Sequence, residues 1–146
     1  MRRSSDVPVD TASALRSARQ GKAATRSVLV VEDDPYIIEV VREIVQTFGF
    51  EVVAAESAGE ALSAFEQSGR TLACVILDYN VPGMDASRLL ARMRELDADV
   101  KVLLSSGYSQ AFISREFPLE SVHGFIPKPY QPAKLVEALQ RLEVIL

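Results

Sequence analysis

The chain has 146 residues, enough for one domain with a real core and too few for two comfortable ones. Hydrophobic residues make up 48% and charged residues 25%, a globular balance rather than a disordered one. The formal net charge of −4 gives no reason to expect a nucleic-acid partner, and the single histidine and single cysteine exclude a multi-histidine metal site and an internal disulfide.

The charge is unevenly spread. Residues 1–26 hold Arg2, Arg3, Arg16, Arg19, Lys22 and Arg26 against Asp6 and Asp10, a net of +4, so the remainder carries −8. This Ser-, Ala- and Arg-rich stretch reads as a flexible basic arm with a weak helix around Thr11–Gln20. Asp6 and Asp10 argue against an organelle transit peptide, and the N-terminus lacks the apolar core of a secretory signal. No apolar run approaches the length needed to span a bilayer. One cysteine suits a reducing compartment, so the expectation is a cytoplasmic protein without membrane insertion.

Ser27–Val31 is β-branched and apolar and reads as the first strand. It runs into Glu32-Asp33-Asp34-Pro35, where Asp34 is placed to cap a helix and Pro35 to begin it. That helix is expected to reach Phe48, with Ile37, Val40, Val41, Ile44, Val45 and Phe48 inward and Gly49 as the stop. Glu51–Ala55 is a second strand. Ser57 and Glu60 form a capping-box pattern for a helix from Ala58 to about Gln67, ended by Gly69.

Leu72–Leu77 is a buried third strand with Cys74 as a small core filler. It ends on Asp78 and then the turn Asn80-Val81-Pro82-Gly83. Ala86–Leu96 is a helix, Val100–Ser105 a fourth strand. Residues 109–121 suggest only a short helix interrupted by Pro118. Gly124–Ile126 is a short fifth strand, with His123 before it in a structural role, and the last helix covers about Pro132 to Val144. Strands and helices alternate five times, which implies an α/β fold with a parallel sheet and helices on both faces.

In such a sheet all the strand carboxyl ends share one edge, where ligands bind. There the chain puts Glu32, Asp33 and Asp34, then Asp78 and Asn80, then Ser105 and Ser106, then Lys128. Clustered carboxylates repel unless a cation sits among them. A hard divalent ion such as Mg²⁺, held by one or two carboxylates, water and a phosphate oxygen, meets that need. Asp78 is then the nucleophile for metal-assisted acyl-phosphate formation. Lys128 supplies a compact positive charge and Ser106 a hydroxyl for the phosphoryl group.

Four segments carry a resemblance to a known family. They are Val28 to Pro35 (Val-Leu-Val-Val-Glu-Asp-Asp-Pro), Leu77 to Asp85 (Leu-Asp-Tyr-Asn-Val-Pro-Gly-Met-Asp), Val102 to Tyr108 (Val-Leu-Leu-Ser-Ser-Gly-Tyr) and Gly124 to Tyr130 (Gly-Phe-Ile-Pro-Lys-Pro-Tyr). In that order they resemble the receiver domain of two-component response regulators, the family of the chemotaxis regulator CheY, over residues 27–146. The resemblance implies a doubly wound five-stranded parallel sheet of order 2-1-3-4-5 with five helices, a flavodoxin-like three-layer sandwich.

It also implies residue roles. Asp78 resembles the phosphoacceptor, and Glu32 and Asp33 the acidic pair that holds Mg²⁺, with Asp33 a direct ligand. The backbone carbonyl of Asn80 would complete the metal shell. Ser106 matches the hydroxyl residue that follows the phosphoryl group, Phe125 the switch aromatic, and Lys128 the phosphate-pairing lysine, before a cis Lys128–Pro129 bond. Three positions depart from the pattern: Glu32 stands for the commoner Asp, Ala86 for the usual Gly, and Phe125 lacks a tyrosine's hydroxyl.

The function implied is that of a phosphoacceptor switch. A sensor histidine kinase or phosphotransfer protein would phosphorylate it, and an unidentified downstream protein would read its state by contact, possible homodimerisation included. With no output domain after Leu146, the expectation is a stand-alone receiver that is not an enzyme beyond its own phosphorylation and dephosphorylation. Two alternatives stand beside it: a phosphate-independent binding module of the same fold, and an aspartyl-nucleophile phosphohydrolase. The second is weakened by Asn80, which stands where such enzymes carry a second acid.

Overall fold

A computed structural model describes residues 26–68 and 71–145. The expected arm, apart from Arg26, and the stop at Gly69 lie outside the described residues. The elements are β1 (Ser27–Val31), α1 (Pro35–Gln46), β2 (Glu51–Ala55), α2 (Ala58–Ser68), β3 (Leu72–Asp78), α3 (Ala86–Leu96), β4 (Val102–Ser106), α4 (Gln110–Ile113), β5 (Gly124–Pro127) and α5 (Pro132–Arg141), with a 3₁₀ turn at Leu119–Ser121 before β5. The five strands are parallel and ordered β2-β1-β3-β4-β5, so the expected doubly wound α/β sheet is present.

Side-chain alternation along the strands divides the core in two. Val28, Val30, Cys74, Ile76, Leu103 and Ile126 face α1 and α5, meeting Ile38, Val41, Val45, Leu135 and Leu139. Leu29, Val31, Val75, Leu77, Val102 and Leu104 face the other way, onto Phe65 of α2, Leu89 and Met93 of α3, and Ile113 and Phe117. The same parity carries past the strand ends. Glu32, Asp78 and Ser105 emerge on the α1/α5 side, and Tyr79 and Ser106 on the other.

Local chemistry sets the helix ends. Asp34 Oδ1 accepts the Tyr36 N–H at 2.9 Å and Pro35 opens α1. Ser57 Oγ accepts from Glu60 N–H, and Glu60 reaches back to the amide of Glu56, one residue before the cap. Gly49, at φ 88°, closes α1 with the Phe50 N–H bonded to Val45 O, a left-handed cap that glycine adopts without cost.

Several boundaries and one helix face differ from expectation. α1 stops at Gln46 and buries Ile38, Val41 and Val45; Phe48 is exposed and Ile37, Val40 and Ile44 are only half-buried. β4 starts at Val102 because the Val100 N–H turns back to Asp97 O. β3 and β5 each run one residue further, to Asp78 and Pro127. α5 ends at Arg141, where Glu143 takes φ 62° and the Val144 N–H returns to Leu139 O.

Candidate functional site

The register aligns the strand ends at one edge: Asp78 pairs with Ser105, and Ser106 with Pro127. Glu32 follows β1 directly, its N–H held by Ala55 O at 2.9 Å. The carboxylate oxygens of Glu32, Asp33 and Asp78 come within 4.8 Å of one another. Glu32 and Asp78 are buried, at 2% and 4% exposure, while Asp33 faces solvent. Lys128 reaches over from the end of β5, its Nζ 2.8 Å from Glu32 Oε1 and 3.2 Å from Asp78 Oδ2. The Lys128–Pro129 bond is cis, as the resemblance implied.

Each acid is also tied to the backbone. Asp78 Oδ1 accepts the Asn80 N–H at 3.2 Å and Glu32 Oε2 the Asp34 N–H at 3.1 Å. The partner of Glu32 Oε1 is the Lys128 ammonium, at 2.8 Å. Burial pushes the Glu32 carboxyl above the usual carboxylate range; Lys128 pulls against this and the Asp78 charge adds to it. Burial alone would lower the Lys128 ammonium, but its pairing with Glu32 and Asp78 outweighs that and holds it above its ordinary value.

Three carboxylates around one ammonium leave an excess of negative charge at an edge that water can reach. This all-oxygen donor set fits a hard divalent cation such as Mg²⁺.

The other expected site residues are also at or near this edge. Ser106 is fully buried at the end of β4, its hydroxyl accepting the Tyr108 N–H at 2.9 Å. Asn80 is exposed two residues beyond Asp78. Phe125 lies half-buried on β5, against the α2/α3 side of the core and away from the acids. His123 is structural: its ring Nδ1 accepts the Val102 N–H at 3.1 Å and its backbone N–H donates to Val102 O. Cys74 is buried in the sheet, its thiol pushed up to about 12 by burial.

Two further residues had no role assigned from the sequence, although Ser105 was expected at this edge. Tyr130 packs against the α1/α5 side of the core; burial raises its phenol, Ser105 pulls against this, and the charges of Glu32 and Asp78 add to it. Ser105 is fully buried and its hydroxyl has no aligned partner. Strand alternation was the available signal for Ser105, since it shares a face with its register partner Asp78.

The response regulator receiver domain model matches residues 28–140. The sensor kinase CckA of Brucella abortus (strain 2308) is 28% identical over 141 residues, 97% of this chain but 15% of that protein. The chemotaxis protein CheY of Listeria monocytogenes is 30% identical over 115 residues, 78% of this chain and 95% of that one. Among solved structures, the response regulator TrrA of Thermotoga maritima, in complex with Mg²⁺-BeF, superposes with a TM-score of 0.70 at 28% identity. It covers 81% of this chain and 99% of that one. The chain thus spans about a seventh of the kinase relative and nearly all of the chemotaxis one. Since the family match runs from β1 into α5 and takes in every strand end at the acidic edge, the chain belongs to the response regulator receiver domains, the signalling switches of two-component systems.

Proposed function

We propose that the domain accepts a phosphoryl group on Asp78 from the phosphohistidine of a sensor histidine kinase or phosphotransfer protein, with Mg²⁺ held by Glu32, Asp33, Asp78 and the Asn80 backbone carbonyl. The observation that carries this is the convergence of Glu32, Asp33 and Asp78 within 4.8 Å, with Lys128 bridging two of them. An Asp78 carboxylate oxygen forms the new bond to phosphorus, the phosphorus–nitrogen bond breaks, and neutral histidine leaves once protonated. Held by these residues, Mg²⁺ would supply positive charge against that developing on the transferring group. Lys128, already 3.2 Å from Asp78, pairs with the phosphoryl oxygens as the negative charge grows. Ser106 then turns its hydroxyl proton to a phosphoryl oxygen, and Phe125 follows as the switch aromatic.

The relatives support this donor and metal: one is a sensor kinase, and one solved neighbour holds Mg²⁺-BeF. The domain reports by protein contact in the cytoplasm and acts as an enzyme only on itself. No described helix is long and apolar enough to cross a membrane. The test is intact mass after incubation with acetyl phosphate and Mg²⁺. A single adduct of about 80 Da, absent from Asp78→Asn and absent without metal, is the expected result. A folded protein that takes no adduct under any condition would turn the reading to a phosphate-independent binding module.

A further inference from the structure

The acidic site occupies one edge of the sheet, and a groove of about 640 Å³ occupies the opposite edge. It lies between the carboxyl ends of α2 and α3 and the starts of β3 and β4. Phe65 and Val100 line it and are buried, while Leu96 stands 51% exposed beside them. Around this apolar surface are three exposed carboxylates, Glu66, Asp97 and Asp99. Two cations line the groove as well, and each is directed at a carbonyl. Arg26 Nη2 donates to Leu72 O at 3.2 Å, and Lys101 Nζ to Leu142 O at 2.7 Å. Among the described residues, no salt bridge involves Glu66, Asp97 or Asp99.

The helix ends deepen the negative field, because the carboxyl end of a helix carries partial negative charge. α2 has no basic residue in its last turn. α3 has Arg94, which donates to Ser121 O instead. The chain enters at this same edge: Arg26 lines the groove and β1 begins at Ser27. Residues 15–25 read Leu-Arg-Ser-Ala-Arg-Gln-Gly-Lys-Ala-Ala-Thr, with three cations, no acid and one large apolar side chain. At no more than about 3.6 Å per residue, Lys22, Arg19 and Arg16 lie within roughly 15, 25 and 35 Å of Arg26 along the chain. A segment tethered so closely meets the groove at high effective concentration. The acidic site is a sheet's height further away, and there Lys128 already sits among the acids.

We propose that residues 15–25 dock in cis in this groove, bringing Arg16, Arg19 and Lys22 to Glu66, Asp97 and Asp99 and covering Leu96. Charge complementarity and the short tether select this occupant over any other. The pairs are between exposed groups, so each is weak, salt opposes them, and their joint action holds the segment. The contact lies at the far edge from Asp78 and does not depend on the phosphoacceptor reading.

The test uses the full chain with Ala18→Cys and a nitroxide on the new thiol; Cys74, 1% exposed, stays unlabelled in the folded protein. Backbone amide peaks are compared with the nitroxide oxidised and reduced. At low salt the amides of 65–67 and 96–99 are expected to lose most of their intensity, while those of 33–34 and 79–80 keep theirs. Salt at about 1 M, where screening acts within ~3 Å, restores the peaks. The reversed segment Arg16→Glu/Arg19→Glu/Lys22→Glu also restores them. Adding Glu66→Lys/Asp99→Lys to that segment brings the loss back, which a general change in the chain would not do. Salt and segment reversal leave residues 26–145 unaltered, so the outcome does not hang on the groove variant folding, which circular dichroism checks. No loss, loss spread over every face, loss at the acidic edge instead, or loss that survives segment reversal overturns the proposal. A mixed sample carries the nitroxide on one chain and the isotope on another. Equal loss at the groove in that sample assigns the contact to a second copy and overturns docking in cis.

Discussion

Lys128 is the residue on which the electrostatics of the site turns, because among the described residues it alone bridges two buried carboxylates. Removing one member of a buried charge cluster costs about 3–5 kcal/mol, and less where water can enter. With the Lys128 side chain about a fifth exposed, Lys128→Met is expected to cost about 1–3 kcal/mol without divalent cation. Saturating Mg²⁺ then restores part of the loss, since a cation again sits among the acids. Thermal melts with and without Mg²⁺ check this; identical melts would refute it. Glu32, Asp78 and Lys128 were legible in the sequence because each ends a strand or directly follows one, and chain order alone brings such ends to one edge. Tyr130 was not legible. It lies past the last strand, and its burial depends on how the chain turns from Pro129 into α5.

At the scale of elements, the strands were readable and the phase of α1 was not. Its apolar residues Ile37, Ile38, Val40, Val41, Ile44 and Val45 cover more than half its circumference, so a 3.6-residue period does not select one face. The packing chose Ile38, Val41 and Val45. The weak element is α4. Its four residues are held by Ser109, whose hydroxyl accepts the Phe112 N–H at 3.1 Å, and by the buried Ile113. A single turn cannot offset the cost of nucleating a helix. Backbone amides of 110–113 are therefore expected to exchange with deuterium at least about tenfold faster than those at the centres of α3 and α5. Ser109→Ala, costing about 1 kcal/mol locally, should speed them further and leave α3 unchanged. Protection in α4 equal to that in α3 would contradict this.

For the whole molecule, the acidic edge makes folding depend on metal and pH together. A cation that binds only the folded chain stabilises it by about 2.7 kcal/mol at a hundredfold excess over its dissociation constant. For a domain of this size that raises the melting temperature by roughly 10 °C. Asp33→Asn should lose most of that gain with little change to the metal-free melt, because Asp33 faces solvent and the lysine pairs with the other two acids. The pH dependence follows from Glu32, whose folded pKa lies above its unfolded value because of burial. Between those two values the folded chain binds more protons than the unfolded one, so the metal-free protein gains stability as pH falls through the folded pKa. Metal needs the same carboxyl ionised. Its stabilising effect should therefore shrink with acid, starting at a higher pH than an ordinary glutamate would dictate. In Glu32→Gln the metal-free melt at neutral pH should rise, or at least hold, while the gain from Mg²⁺ drops. Melting curves across pH with and without Mg²⁺ check both halves. A metal gain in wild type that stayed constant down to the pKa of a free carboxylate would show that Glu32 carries no burial penalty and that the cation does not depend on it.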